Sequence, residues 1–262
     1  MSERDPARSA DRLLYHYTSA AGVLGILERR CLFATDIWFL NDAAEVRFAQ
    51  TRMLERLRHR DDLASDLEWL EKLLGVDPGN AVRDSLFVAS FCEEPDLLSQ
   101  WRGYAAGGFA IGFASGRLAE LASSAGGRLV KVEYGREAGR PHLREVFEQV
   151  VAGGPYSEAE RKRIARSLAP EMARVKEDSF AEEKEWRLLV DADADLQVRF
   201  LTRQDSPLPY VEFELPDPTP VREIVIGPGG DPQLRRRGIE QLLLARGYEQ
   251  VAVRESASHL RF

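Results

Sequence analysis

Glu183-Lys184-Glu185-Trp186-Arg187 runs directly into Leu188-Leu189-Val190, so charged side chains open what reads as a buried strand over Glu185–Val190. Side chains alternate between the two faces of an extended chain. Glu183, Glu185 and Arg187 therefore fall on one face, with Lys184 and Trp186 on the other. Charges are seldom kept at the start of a buried strand unless they are paired or used. Two explanations stand: a Glu–Arg ladder along a solvated edge, or a working carboxylate. Such a carboxylate accepts a hydrogen bond from a ribose hydroxyl or stabilises an oxocarbenium-like centre, as in glycosidic cleavage.

The segments around this strand alternate in character. Leu13–Tyr17 reads as a short strand, followed by a helix capped by Ser19 with Val23, Ile26 and Leu27 at helical spacing. Cys31–Ala34 reads as a buried strand, and two helices are expected over 41–60 and 61–74, ending at Gly75. Strands follow at Leu86–Cys92, Gly108–Phe113 and Leu129–Tyr134, with a short helix over Arg117–Ser123. Pro141–Val151 and Ser157–Asp178 read as helices. Ser157 and Glu160 form a capping box in the latter, and Pro170 is expected to kink or split it. The last third predicts strands at Val198–Leu201, Tyr210–Leu215, Val221–Gly227 and Gln250–Arg254 and a helix over Pro232–Arg246. Residues 1–11 read as a disordered tail. Residues 12–262 read as a single α+β domain with a helical insertion before residue 86, since no linker or repeat divides them.

Bulk properties narrow the classes. With 262 residues, 44% of them hydrophobic, the chain is long enough for a sizeable core. A net charge of -7 gives no global basic field for nucleic acid, although a local groove stays open. Cys31 and Cys92 lack paired spacing and read as reduced core thiols. There is no HExxH, HxH or aspartate cluster, so no metal is expected. The polar N-terminus lacks an apolar signal core, and no run approaches the ~20 apolar residues that span a bilayer. A soluble, cytoplasmic protein with no membrane partner is the expectation.

Three further segments compete with structural explanations. His16 ends a hydrophobic strand beside Tyr17 and Thr18. The helix start that follows presents free N–H groups to an anion such as pyrophosphate, but a His–Tyr pair satisfied in the core is the stronger explanation of His16 taken alone. Asp42 and Glu45 have capping-box spacing, which leaves Asn41 unexplained. Ser90 and Phe91 end a strand, and Trp101 and Tyr104 in the segment beyond are placed to wall a flat ring or to fill the core.

In order, Tyr15-His16-Tyr17-Thr18, Asn41-Asp42-Ala43-Ala44-Glu45, Ser90-Phe91-Cys92, Trp101-Arg102-Gly103-Tyr104 and Glu183-Lys184-Glu185-Trp186-Arg187 resemble the motifs of the DUF2971 family of uncharacterised bacterial proteins, over residues 13–255. The same order more loosely resembles the ADP-ribosyltransferase superfamily, and the opening resembles its DNA-modifying DarT group. That second resemblance implies a split pair of small mixed or antiparallel sheets with NAD, as substrate, in the cleft between them. Carried over, His16 holds a ribose and Tyr17 and Thr18 neighbour it. Trp101 or Tyr104 stacks on nicotinamide, Glu185 supports its loss, and Glu183 orients a protein or nucleic-acid acceptor. Asn41, Ser90, Phe91 and Arg187 complete the expected ligand set. The implied activity is NAD-dependent transfer of ADP-ribose to a macromolecule. The competing expectation is a non-catalytic nucleotide-sensing or partner-binding module that uses Glu183, Glu185 and Arg187 structurally.

Overall fold

The structure is a computed structural model that describes residues 12–39, 86–135, 137–139, 156–191, 196–203 and 206–258, with positions 48, 49, 51, 52, 55 and 148. Asn41, the tail over 1–11, the helix over 61–74 and most of those over 41–60 and 141–151 lie outside the described residues.

Among the described residues ten strands form one large, mostly antiparallel sheet, and α-helices pack on it in an α+β arrangement. At its centre β3 (Leu86–Cys92) pairs along one edge with β8 (Glu185–Asp191), from Leu86↔Asp191 to Cys92↔Glu185, and β5 (Arg128–Lys131) adds beyond β8. On its other edge β3 forks. Its first residues pair with β2 (Cys31–Asp36) through Thr35↔Val88 and Asp36↔Phe87. Its last pairs with β1 (Leu13–Thr18) through Tyr15↔Cys92. Ala89, Ser90 and Phe91 are left without a strand partner on that edge. Beyond β1 lie β4 (Phe109–Ala114), β11 (Val221–Ile226) and β12 (Ala252–Glu255), the last pair parallel. Beyond β2 lie β10 (Ser206–Glu214) and β9 (Arg199–Arg203).

The expected pair of separate small sheets is thereby corrected. β3 carries β1 and β2 at its two ends, and that shared strand keeps both arms hydrogen-bonded into one sheet. A further two-stranded piece joins β6 (Glu133–Tyr134) to β7 (Val175–Lys176) in parallel. The expected strand Leu129–Tyr134 is thus two strands in different sheets.

Alternation along the strands sorts the core. Leu14, Phe87, Phe91, Ile111, Phe113, Trp186 and Leu188 face α1 (Ala20–Arg29), α2 (Ser115–Ser124) and α4 (Pro232–Ala245), which follows α3 (Glu158–Met172) in the chain. The opposite face carries Tyr15, Tyr17, Cys92 and Trp101 on one side and Leu86, Val88, Val130 and Leu189 on the other. Ser19 caps α1 by accepting from Gly22 N, a contact worth about 1 kcal/mol. Gly108 is required where it stands, because a Cβ there would lie 2.4 Å from the Thr18 carbonyl oxygen. Ser157 and Glu160 form the expected reciprocal cap of α3. That helix carries Pro170 inside it instead of splitting there, and stops at Met172, short of the expected Asp178, because Val175 and Lys176 turn to β7. Among the described residues no helix is long and apolar enough to cross a membrane.

Candidate functional site

The fork in the sheet opens a slot of about 70 Å³ where β1 leaves β3. Its walls include Tyr15, His16 and Tyr17 from β1, Ser90, Phe91 and Cys92 from β3, and Glu185 from β8. A wider hollow of about 320 Å³ lies against Gly126–Arg128, Pro170 and Leu189, but the titratable groups that converge do so at the slot.

His16 replaces the missing ladder bond. Its Nδ1 lies 3.0 Å from the Ser90 carbonyl oxygen, which the register leaves unpaired on that edge. A carbonyl only accepts, so Nδ1 carries the proton and Nε2 keeps its lone pair. Burial pushes the His16 pKa down, against the smaller favourable pull of the Ser90 carbonyl. The ring is therefore neutral near pH 7 and offers Nε2 as an acceptor. Phe91 lies directly across, ring centroids 5.9 Å apart, and is itself held edge-on by Phe113.

The acidic strand differs from its expected alternation. Glu183 ends a 3-10 helix over Asp178–Glu183, Lys184 takes a left-handed conformation (φ 43°), and β8 starts only at Glu185. That turn brings Glu183 and Glu185 to one ammonium. Lys176 Nζ donates to Glu183 Oε2 at 2.6 Å and to Glu185 Oε2 at 3.1 Å. Arg187 donates from Nε to Glu185 Oε1 at 2.7 Å, from Nη2 to Oε2 at 2.9 Å, and from Nη1 to the Ala173 carbonyl at 3.0 Å. All four side chains are buried, Lys176 at 1% exposure and Arg187 at 3%. Their formal charges cancel, which is what makes such burial tolerable. Burial alone would raise the Glu185 pKa; Arg187, Lys176 and the Ser90 hydroxyl together hold it down at about 2. The Glu185 amide donates to Tyr134 Oη at 2.8 Å, tying β6 to the same point. The solvated-edge explanation of these charges is thus replaced by a buried neutral network, and Arg187 acquires a definite task.

The remaining expected residues separate. Tyr104 lines the slot and is 41% exposed. Trp101 is fully buried, packs edge-on against Tyr17 at 4.6 Å, and donates from Nε1 to Asp96 at 2.6 Å; it offers a ligand no face. Tyr17 borders the slot, but its hydroxyl donates to the Glu94 carbonyl and accepts from Leu97 N, anchoring the loop after β3. Thr18 sits over Gly22 instead of in the slot walls. Two residues escaped the sequence reading. Gln100 lines the slot. Lys176 was hidden inside an expected helix, although two carboxylates against one guanidinium already demanded a second cation. Among the described residues no group of three or more His, Cys, Asp or Glu converges to hold a metal ion.

The stretch from Gln100 to the middle of β8 thus carries most of the charged wall. Residues 100–188 match the family model described as a protein of unknown function, DUF2971. No curated protein and no solved structure matches the chain. The DUF2971 match takes in Gln100, Tyr104, Lys176, Glu183, Glu185 and Arg187, while β1 with His16 and β3 with Ser90 precede it. The slot therefore joins the matched segment to two strands outside it.

Proposed function

We propose that the slot is the reaction centre of an NAD-dependent ADP-ribosyltransferase-like enzyme. The observation that carries this reading is that a neutral His16 with a free acceptor nitrogen and a Glu185 ionised near pH 7 line one slot. The slot is far smaller than the 300–1,000 Å³ that encloses a drug-sized ligand. One ring of the dinucleotide enters it, and the rest lies across the outer surface toward the Ser19 end of α1. His16 Nε2 accepts from a ribose hydroxyl, and Tyr104 flanks the entering ring.

Glu185 then faces the nicotinamide ribose. The bond from its anomeric carbon to the ring nitrogen breaks, and its electron pair leaves with nicotinamide, neutralising the pyridinium. The carboxylate stabilises the oxocarbenium left behind. An acceptor nucleophile on a macromolecule bonds to that carbon and gives up its proton to solvent water. Nicotinamide release from NAD tests this: Glu185→Gln is expected to lower the rate about 10²–10³-fold, the loss typical of one removed electrostatic partner. His16→Gln, outside the ion network, is expected to raise KM. Wild-type release from both variants would refute the reading.

A second reading has its own support, because Arg187 and Lys176 already engage both Glu185 oxygens. In a nucleotide sensor that network is structural. Calorimetric binding of NAD without turnover would favour it.

A further inference from the structure

Gln100 is a polar wall of the slot to whose side chain no described residue bonds. Its neighbours are spent: Tyr15 donates to Glu223, Tyr17 bridges Glu94 and Leu97, Cys92 Sγ accepts from Glu94 N, and Glu183 and Glu185 are ion-paired. Gln100 is 8% exposed, yet no described residue bonds its amide. The amide atoms keep contact with solvent, so an unmatched donor and acceptor open onto the slot, a pair that costs free energy when a ligand covers it without complementing it. Its position is set by the turn that follows. Trp101–Ala105 forms a single π-turn, with the Ala106 amide reaching back to the Trp101 carbonyl, and such widened turns concentrate at functional sites. Here the turn sends Trp101 into the core while Gln100 and Tyr104 both border the slot.

We propose that Gln100 is the specificity-determining residue of the slot, and that it recognises a carboxamide on a flat ring. A glutamine amide presents a donor and an acceptor side by side. Its complement is a ligand group with the same pair reversed: the ligand carbonyl accepts from Nε2–H, and the ligand N–H donates to Oε1. A carboxylate at the same place has no proton to give Oε1. The assignment rests on reading the slot as an NAD site, but it concerns the ring end alone and is separable from cleavage.

The test titrates nicotinamide and nicotinate, one ring with an amide or an acid, into the full-length protein and into Gln100→Met, read by calorimetry. Wild type is expected to prefer nicotinamide at least tenfold. Gln100→Met is expected to lose about ten- to hundredfold in nicotinamide affinity, the loss from one unmet pair of polar groups, and to abolish the preference. Because no described residue bonds the amide, thermal stability of Gln100→Met is expected to match or exceed wild type. Equal binding of the two rings, binding of neither (an amide satisfied by water alone), or an undiminished preference in Gln100→Met overturns the proposal. So does a large stability loss in that variant. The two readings fail separately. NAD cleavage lowered by Glu185→Gln but indifferent to Gln100 removes only this assignment. Nicotinamide preference without any cleavage of NAD removes only the transferase.

Discussion

Arg187 grips Glu185, two residues before it on the same face of β8, through two parallel bonds: Nε to Oε1 at 2.7 Å and Nη2 to Oε2 at 2.9 Å. A fork of this kind fixes the plane of the carboxylate as well as its charge. Lys176 completes the arrangement from β7, so the anion is present and oriented before any ligand arrives. Each member is buried because the others are, which makes single substitutions informative.

Arg187→Met leaves two buried carboxylates against one ammonium. It is expected to cost about 3–5 kcal/mol in urea unfolding, the penalty for stranding a buried charge. Arg187→Lys keeps the charge but not the planar fork, so a smaller but clear loss is expected. Equal stability of all three proteins would show that the fork is not what holds Glu185.

Lys176 and Glu183 are expected to be strongly coupled. Lys176→Met alone takes away the ammonium that Glu183 and Glu185 share, at about 3–5 kcal/mol. Adding Glu183→Gln removes the surplus charge and is expected to restore at least ~1 kcal/mol, so the double-mutant cycle departs from additivity. Additive costs would place the two side chains out of contact.

Acid is expected to destabilise the fold in two stages. His16 titrates below its ordinary 6.5 when folded, so the unfolded chain takes up the proton first and stability falls as pH drops below about 6.5. Glu185 is held near 2 against an ordinary 4.5. Its contribution is complete above 4.5 and is lost as pH falls from there toward 2. Unfolding free energy measured against pH should show both limbs, and His16→Gln should erase only the upper one.

Trp101 and Tyr104 are expected to behave oppositely despite their shared turn. Trp101→Phe removes the indole donor to Asp96, leaving Ser256 Oγ and Ala257 N on that carboxylate, and is expected to lower stability by about 1–3 kcal/mol while NAD affinity, for correctly folded protein, changes little. Tyr104→Ala is expected to weaken NAD binding by about 1–3 kcal/mol, the scale of one lost ring stack, with little effect on unfolding. The reverse pattern would exchange their roles.

These contrasts mark how far residue order alone reaches. The strands β1, β3, β4, β8, β10 and β11 are legible because local alternation and turn residues announce them, and the Ser157 cap likewise. Lys176 is not, since a lysine beside Val175 continues a helical run as readily as it starts a two-residue strand. The fork at β3 is equally hidden: it depends on which distant strands share one edge, and no local pattern encodes that. For Trp101 and Tyr104 sequence spacing leaves the choice open, and the π-turn makes it by turning one inward and the other toward the slot. His16 and Glu185, read 169 positions apart, converge because β1 and β8 flank the same strand.

Nitrogen-15 NMR of the His16 imidazole during NAD titration tests that convergence most directly, with His16→Gln assigning the signal. The ring is expected to start as the neutral Nδ1–H form and to shift at Nε2 as NAD saturates, as the acceptor nitrogen takes a ribose hydroxyl. An Nε2 signal unmoved at saturating NAD would contradict a shared site for His16 and Glu185.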